Sequence, residues 1–376
     1  MFSVRRSACS AIASLSLVGA TALLGIPASA SADTVDCGSV STGSPAGPAF
    51  GSPAGPAFGS LSRPDLGSQS AKTENSPYLC AETGDIVDVR IGDVRATQPS
   101  VGYDQVYYKL GRYSLGKDSI NKKFDDWCEA NGQGEAKSAS ATATLTDPST
   151  FTCKIAVGKE TASSKAEMKT VVVGPRGALY LTDGHHTLTS FYETSGGGAN
   201  VPLRLRVVGN LSSLSESRFW TEMAANKWVW TRDAENNPVI PQTLPKNLAL
   251  AGFQDDKYRS LAYFSRDIGF SSTGIAFQEF YWGAWIRDSS SVDLHSWNTG
   301  DFASYLDTVK AVTKAQTLLP GSAVVNGNST AKDLGVLSSW NDGKSESKGE
   351  FAKLSTPYSD SKPGKLAYAL AYKATL

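Results

Sequence analysis

Two of the chain's three histidines stand side by side in Asp183-Gly184-His185-His186. An imidazole changes charge near neutral pH, so a pair offers acid/base or metal-binding capacity. Residues 178–181 (Ala-Leu-Tyr-Leu) before it read as a strand, and residues 187–193 (Thr-Leu-Thr-Ser-Phe-Tyr-Glu) after it as a helix. A helix start carries unpaired N–H groups and a partial positive charge, which suits phosphate. His185 and His186 are therefore candidate general acid and base. Asp183 would cap the helix, orient an imidazole or hold a metal. Gly184 and Thr187 would present backbone to phosphate. Neighbours at a helix start point about 100° apart, so one imidazole can face a site while the other faces the core. Asp183, His185 and His186 are also the candidate metal donors, with His295 as a distant fourth. A divalent metal ion is compatible with this set, not demanded by it.

Developing negative charge needs cations. Lys109, Arg259, Arg266 and Arg287 are the candidates, since an Arg fork grips phosphate through two N–H bonds. Glu279 lies among Phe277, Phe280, Tyr281, Trp282 and Trp285. A carboxylate in such surroundings can act as acid or base, or pair with an arginine such as Arg259. Thr97 and Gln98 end a strand where loops meet a site.

These residues need a scaffold. Residues 85–94 alternate like a half-buried strand, and residues 170–173 and 178–181 form a hairpin around Gly174-Pro175-Arg176-Gly177. Residues 203–208 (Leu-Arg-Leu-Arg-Val-Val) are a further strand. Helices are predicted over 106–113, 117–128, 213–226, 258–268, 276–287 and 302–318. Residues 131–148 read as an exposed insertion. The fold class is α+β, with a small mixed sheet followed by a mostly helical extension.

Residues 1–32 have the pattern of an export leader: Arg5 and Arg6, an apolar stretch over 11–26, then small residues over 28–32. That stretch is too short and too rich in small residues for a membrane span. Residues 33–78 are Gly/Pro/Ala/Ser-rich and repeat Gly-Ser-Pro-Ala-Gly-Pro-Ala-Phe at 43–50 and 51–58, as a flexible linker does. A core domain is expected over 79–210, its helical part over 211–321 and a loose tail over 322–376. Basic and acidic residues number 36 each; without the leader's two arginines, 34 face 36, a net of −2. Bulk charge therefore does not coat nucleic acid, and any nucleotide contact is local. Without Cys9, four cysteines remain, an even number for an exported chain. Three pairings exist, of which Cys37–Cys80 and Cys128–Cys153 each close a local segment.

The chain resembles the secreted ParB-like nuclease family of the ParB/sulfiredoxin superfamily. The resemblance rests on ordered blocks: residues 94–102 with Val106 and Lys109, residues 181–187, Phe219-Trp220 with Met223, residues 228–230, 255–262, 277–287 and 318–321. It implies a ParB/sulfiredoxin-like fold with phosphate bound at residues 184–187. The partition proteins carry Gly-Glu-Arg-Arg there and sulfiredoxins Gly-Cys-His-Arg. In this chain His185 stands at the place of the sulfiredoxin cysteine and Thr187 at that of an arginine. The resemblance implies hydrolysis of a phosphoester in a nucleotide or nucleic acid. One histidine would act as base or acid, with Lys109 and Arg259 steadying charge. The alternative is a secreted module that binds a nucleotide or anion without catalysis. A third reading is phosphoryl transfer. No partner protein is evident.

Overall fold

The computed structural model describes residues 76–289 and 292–376. All of them fall in the compact unit Pro48–Leu376. The leader, most of the linker and Cys37, with its expected bridge to Cys80, lie outside the described residues. From Ser76 the chain is latched down: the Ser76 hydroxyl donates to the Gly177 carbonyl (3.1 Å), and the Tyr78 hydroxyl to that of Asp88 (3.1 Å).

The main sheet has five strands: β1 (Ile86–Arg90), β2 (Val94–Arg95), β3 (Thr170–Val173), β4 (Leu179–Asp183) and β5 (Pro202–Asn210). Their order is β1-β5-β3-β4-β2. Pairs β1/β5 and β3/β4 are antiparallel, while β5/β3 and β2/β4 are parallel. The single strand expected over 85–94 is thus two strands on opposite edges. A three-residue turn, Ile91–Asp93, joins them. So short a link spans two edges only if the sheet curls round. Successive side chains of β3 enter different cores, as strand geometry requires. Val171 and Val173 pack with the helices on one face, Val172 with Tyr180, Phe219 and Met223 on the other.

Helices α1 (Tyr103–Ser114), α2 (Lys122–Ala130) and α3 (His185–Glu193) cover the first face. Helix α2 starts later than the periodicity predicted, because the Asn121 side chain caps it by accepting from Lys123 N–H (3.0 Å). Helix α4 (Glu216–Ala225) covers the second face. Helices α5 (Lys257–Ser265), α6 (Gln278–Asp288) and α7 (Phe302–Thr317) build a further core around Phe264, Trp282 and Tyr305.

Two regions differ from expectation. The segment 131–148 is not simply exposed: Ala136 and Leu145 are buried, and Ala136–Ala139 pairs with Phe151–Cys153. The Cys128–Cys153 disulfide, with Cα atoms 5.7 Å apart, ties this ribbon to α2. The residues beyond 321 are not a loose tail. They include a short helix, Gly349–Leu354, and α8 (Lys365–Lys373), whose Leu366 and Ala369 are fully buried. Helix α8 lies so close to α1 that a Cβ on Gly111 would sit 2.3 Å from the Tyr368 carbonyl oxygen. Gly, Ser and Lys upstream hid this short apolar pattern. Among the described residues no helix is long and apolar enough to cross a membrane.

Candidate functional site

Strand β4 ends at Asp183, and α3 begins at His185. Between them Gly184 has φ +100°, and a Cβ there would meet the Lys169 side chain at 2.6 Å. Only glycine makes this turn without strain. The turn delivers both imidazoles into the interior, 4% and 8% exposed.

Each imidazole receives a backbone N–H. His185 Nε2 accepts from Thr97 N–H (3.1 Å), and His186 Nε2 from Gly102 N–H (3.0 Å). Thr97 is fixed in turn, its hydroxyl donating to the Leu181 carbonyl. A ring nitrogen that accepts from an N–H carries no proton, so both rings are neutral with the proton on Nδ1. Burial pushes His185 down to about 3. It pushes His186 well below its ordinary value, helped by the charges of Arg259, Lys109 and Arg266. The pair pins residues 97–102, the entry to α1, against the start of α3. Gln98 stays local, donating to the Ser100 carbonyl (2.8 Å).

The cations gather close enough to His186 to lower its pKa. Lys109, on α1, donates to Asp126 (2.8 Å), which also accepts from Tyr113 (2.6 Å) and pairs with Lys122 (2.9 Å). Burial opposes the Asp126 charge, but Lys109 and Lys122 outweigh it and hold the carboxyl well below the usual range. Arg259, on α5, is 6% exposed and donates to Gln105 Oε1 (2.9 Å). Burial, then the Arg266 charge, pushes it down to about 9, so it stays cationic at neutral pH. Glu279, on α6, lies 3.6 Å from Arg259 Nη2 and directly against Arg266 Nη2. The Nε atoms of Arg259 and Arg266 are buried without a partner.

Beyond this cluster opens a cavity of about 910 Å³. Tyr108 and Arg112 of α1 form one wall, Tyr263 and Arg266 another, and residues 350–368 the third. Arg266 belongs to both cluster and cavity, its side chain 30% exposed.

The fold thus brings together His186, Lys109, Arg259, Arg266 and Glu279. Asp183 stands at the margin: 70% exposed and 3.9 Å from Lys169, it still favours the Arg259 charge. Thr187 is half-buried on the first turn of α3. Arg287 is used elsewhere, donating to the Ala234 carbonyl (2.6 Å) and pairing with Asp256 (3.4 Å). His295 is exposed, in a turn where its N–H meets Asp293. Among the described residues no three His, Cys, Asp or Glu side chains form a metal-holding group. Sequence reasoning missed Gln105, Tyr108, Asp126 and Tyr263. One signal was present: Gln105, Lys109 and Tyr113 recur at helical spacing, a polar stripe on a helix facing the core.

Comparison with curated proteins returned no match. A crystal structure of protein Atu1540 from Agrobacterium tumefaciens is similar, with a TM-score of 0.42 at 19% identity, over 62% of this chain and 91% of that one. A family profile described as "Putative ParB-like nuclease" matches residues 87–288, more than half of the sequence and all of the elements that carry the imidazole pair and the cationic cluster. The chain belongs to this ParB-like nuclease family.

Proposed function

We propose that the chain binds a phosphodiester of a nucleic acid or nucleotide at Arg266 and hydrolyses it. The observation that carries this is the double position of Arg266, inside the charged cluster and on the cavity wall. An incoming phosphate competes with Glu279 for the guanidinium. Once displaced, the carboxylate is freed beside the phosphate to take a proton from water. Arg259 and Lys109 lie behind and oppose the charge that develops. The histidines act as positioning residues, since both Nε2 lone pairs are already used. The leader-like sequence supports a substrate outside the cell.

The test is turnover of a labelled oligonucleotide by the full chain, with and without divalent metal. Arg266→Ala is expected to lower kcat/KM by about a hundredfold, as loss of one preorganised charge partner typically does. Glu279→Gln should abolish turnover and tighten binding, because phosphate no longer competes with a carboxylate. Folded wild-type protein that turns over no phosphoester under any of these conditions overturns the hydrolytic part.

A second reading, phosphate binding without catalysis, is favoured by the engaged imidazoles and the lack of a three-donor metal group among the described residues. Glu279→Gln separates the two, since a binder keeps its only function.

A further inference from the structure

The cavity's third wall comes from residues 350–368, outside the span matched by the family. We infer that this wall makes the cavity a binding cleft for single-stranded nucleic acid, with Lys362 and Lys365 taking backbone phosphates next to the one at Arg266. The inference rests on the phosphate reading of Arg266 and deepens it by naming the substrate class.

Charge is the first argument. Six cations line the cavity (Arg112, Lys117, Arg266, Lys353, Lys362 and Lys365) against three carboxylates. Arg112 is gripped at both ends by Asp118 (2.9 Å each), and Lys353 by Glu350 (2.6 Å). Lys362 and Lys365 are exposed and have no carboxylate partner among the described residues. Lys365 instead stands 5.2 Å from the Tyr263 ring centre, and Arg266 5.3 Å from that same centre. Two cations beside one ring favour an anion placed near both, which competes with Glu279 for Arg266. The first turn of α8, which Gly364 and Lys365 open into the cavity, carries no acidic residue.

Rigidity is the second. Lys117 donates to the carbonyls of Tyr358 (2.7 Å) and Asp360 (2.6 Å), latching the wall to the end of α1. Gly364 N–H donates to the Thr356 carbonyl (3.0 Å), and a Cβ there would lie 2.4 Å from the Leu354 oxygen. The lysines thus stand on a wall held in place before any ligand arrives, which lowers the ordering cost of binding.

Size is the third. The volume of about 910 Å³ is that of a pocket enclosing a small molecule or a few nucleotides. A duplex carries two paired strands and is bulkier than this volume encloses. A flexible strand enters, and half-buried Tyr108 on the cavity wall offers a ring to its bases.

The experiment measures binding of a fluorescein-labelled deoxythymidine 12-mer to the full chain by anisotropy across a salt series. The variants are Lys362→Ala/Lys365→Ala, Arg266→Ala, and a control with equal charge loss at exposed sites elsewhere, Lys137→Ala/Lys159→Ala. The cleft lysine pair should weaken binding at least tenfold. It should flatten the plot of log affinity against log salt by about 1.4, at roughly 0.7 per single-strand phosphate contact. The control should match wild type. If Arg266→Ala abolishes binding and the cleft lysine pair does not weaken it, the wall inference fails and the phosphate reading stands. If neither matters, both fail. Equal affinity for a 12-base-pair duplex overturns the single-strand assignment, and equal competition by polyglutamate overturns the nucleic-acid assignment.

Discussion

The imidazole pair and the cationic cluster meet at His186, yet they solve opposite problems. His185 and His186 are sunk in the interior, lose their charge to burial and spend their lone pairs on two backbone N–H groups. Lys109, Arg259 and Arg266 each stand beside a carboxylate, Arg259 stays cationic at neutral pH, and Arg266 also reaches the cavity. The difference separates a histidine pair that the backbone holds from a cationic cluster that meets a cavity. A buried neutral imidazole is a good hydrogen-bond acceptor and a poor proton carrier at neutral pH. A half-buried arginine with a displaceable carboxylate is a site that an anion can compete for.

The largest expected effect removes the pair. His185→Ala with His186→Ala leaves the N–H groups of Thr97 and Gly102 without partners, at about 1–3 kcal/mol each, and adds cavities. Chemical denaturation should show a loss of several kcal/mol. Glutamine at both positions, whose amide oxygen can accept the same N–H groups, should recover much of it. Normal stability with lost turnover would break the contrast and return the pair to chemistry.

Acid comes next. The unfolded chain protonates histidine near pH 6.5, whereas native His185 does so only near 3. Between those values the unfolded state binds more protons, so stability falls as pH falls from about 6.5. The slope is about 1.4 kcal/mol per pH unit, and His186 acts in the same direction. Melting curves across pH 4–7 check this, and the double glutamine variant should lose that slope. A wild-type profile flat over this range would mean that the imidazoles are not buried as neutral acceptors.

The smallest effect is expected at Asp183. Its carboxylate is mostly exposed and 3.9 Å from Lys169, a pair worth about 0–1 kcal/mol. Asp183→Asn should barely change the melting temperature. A turnover loss comparable to that of Arg266→Ala would move the reacting centre from the cavity to the start of α3.

Much of this was legible in the chain itself. The alternation over 203–208, the Asp-Gly turn and the run into α3 are encoded by neighbouring residues, because strand pleat, left-handed glycine and helix spacing are local properties. The Cys128–Cys153 closure was also legible from proximity in sequence. The split of residues 85–94 was not: β1 and β2 pair with strands more than 80 residues away, at opposite edges of a curled sheet. Helix α8 was lost in a polar stretch because its few apolar residues gain meaning only against α1, at Gly111.

By itself, then, the sequence determined the fold class, the family and the Asp-Gly turn that carries His185 and His186 into α3, since each rests on local pattern. Tertiary structure alone decided what those side chains do. The protonation state of an imidazole depends on burial and on distant cations. The Arg259–Glu279–Arg266 cluster joins helices α5 and α6, and the wall carrying Lys362 and Lys365 is brought to Arg266 from about a hundred residues further along the chain. Charge and desolvation act through space, and only the folded chain sets those distances.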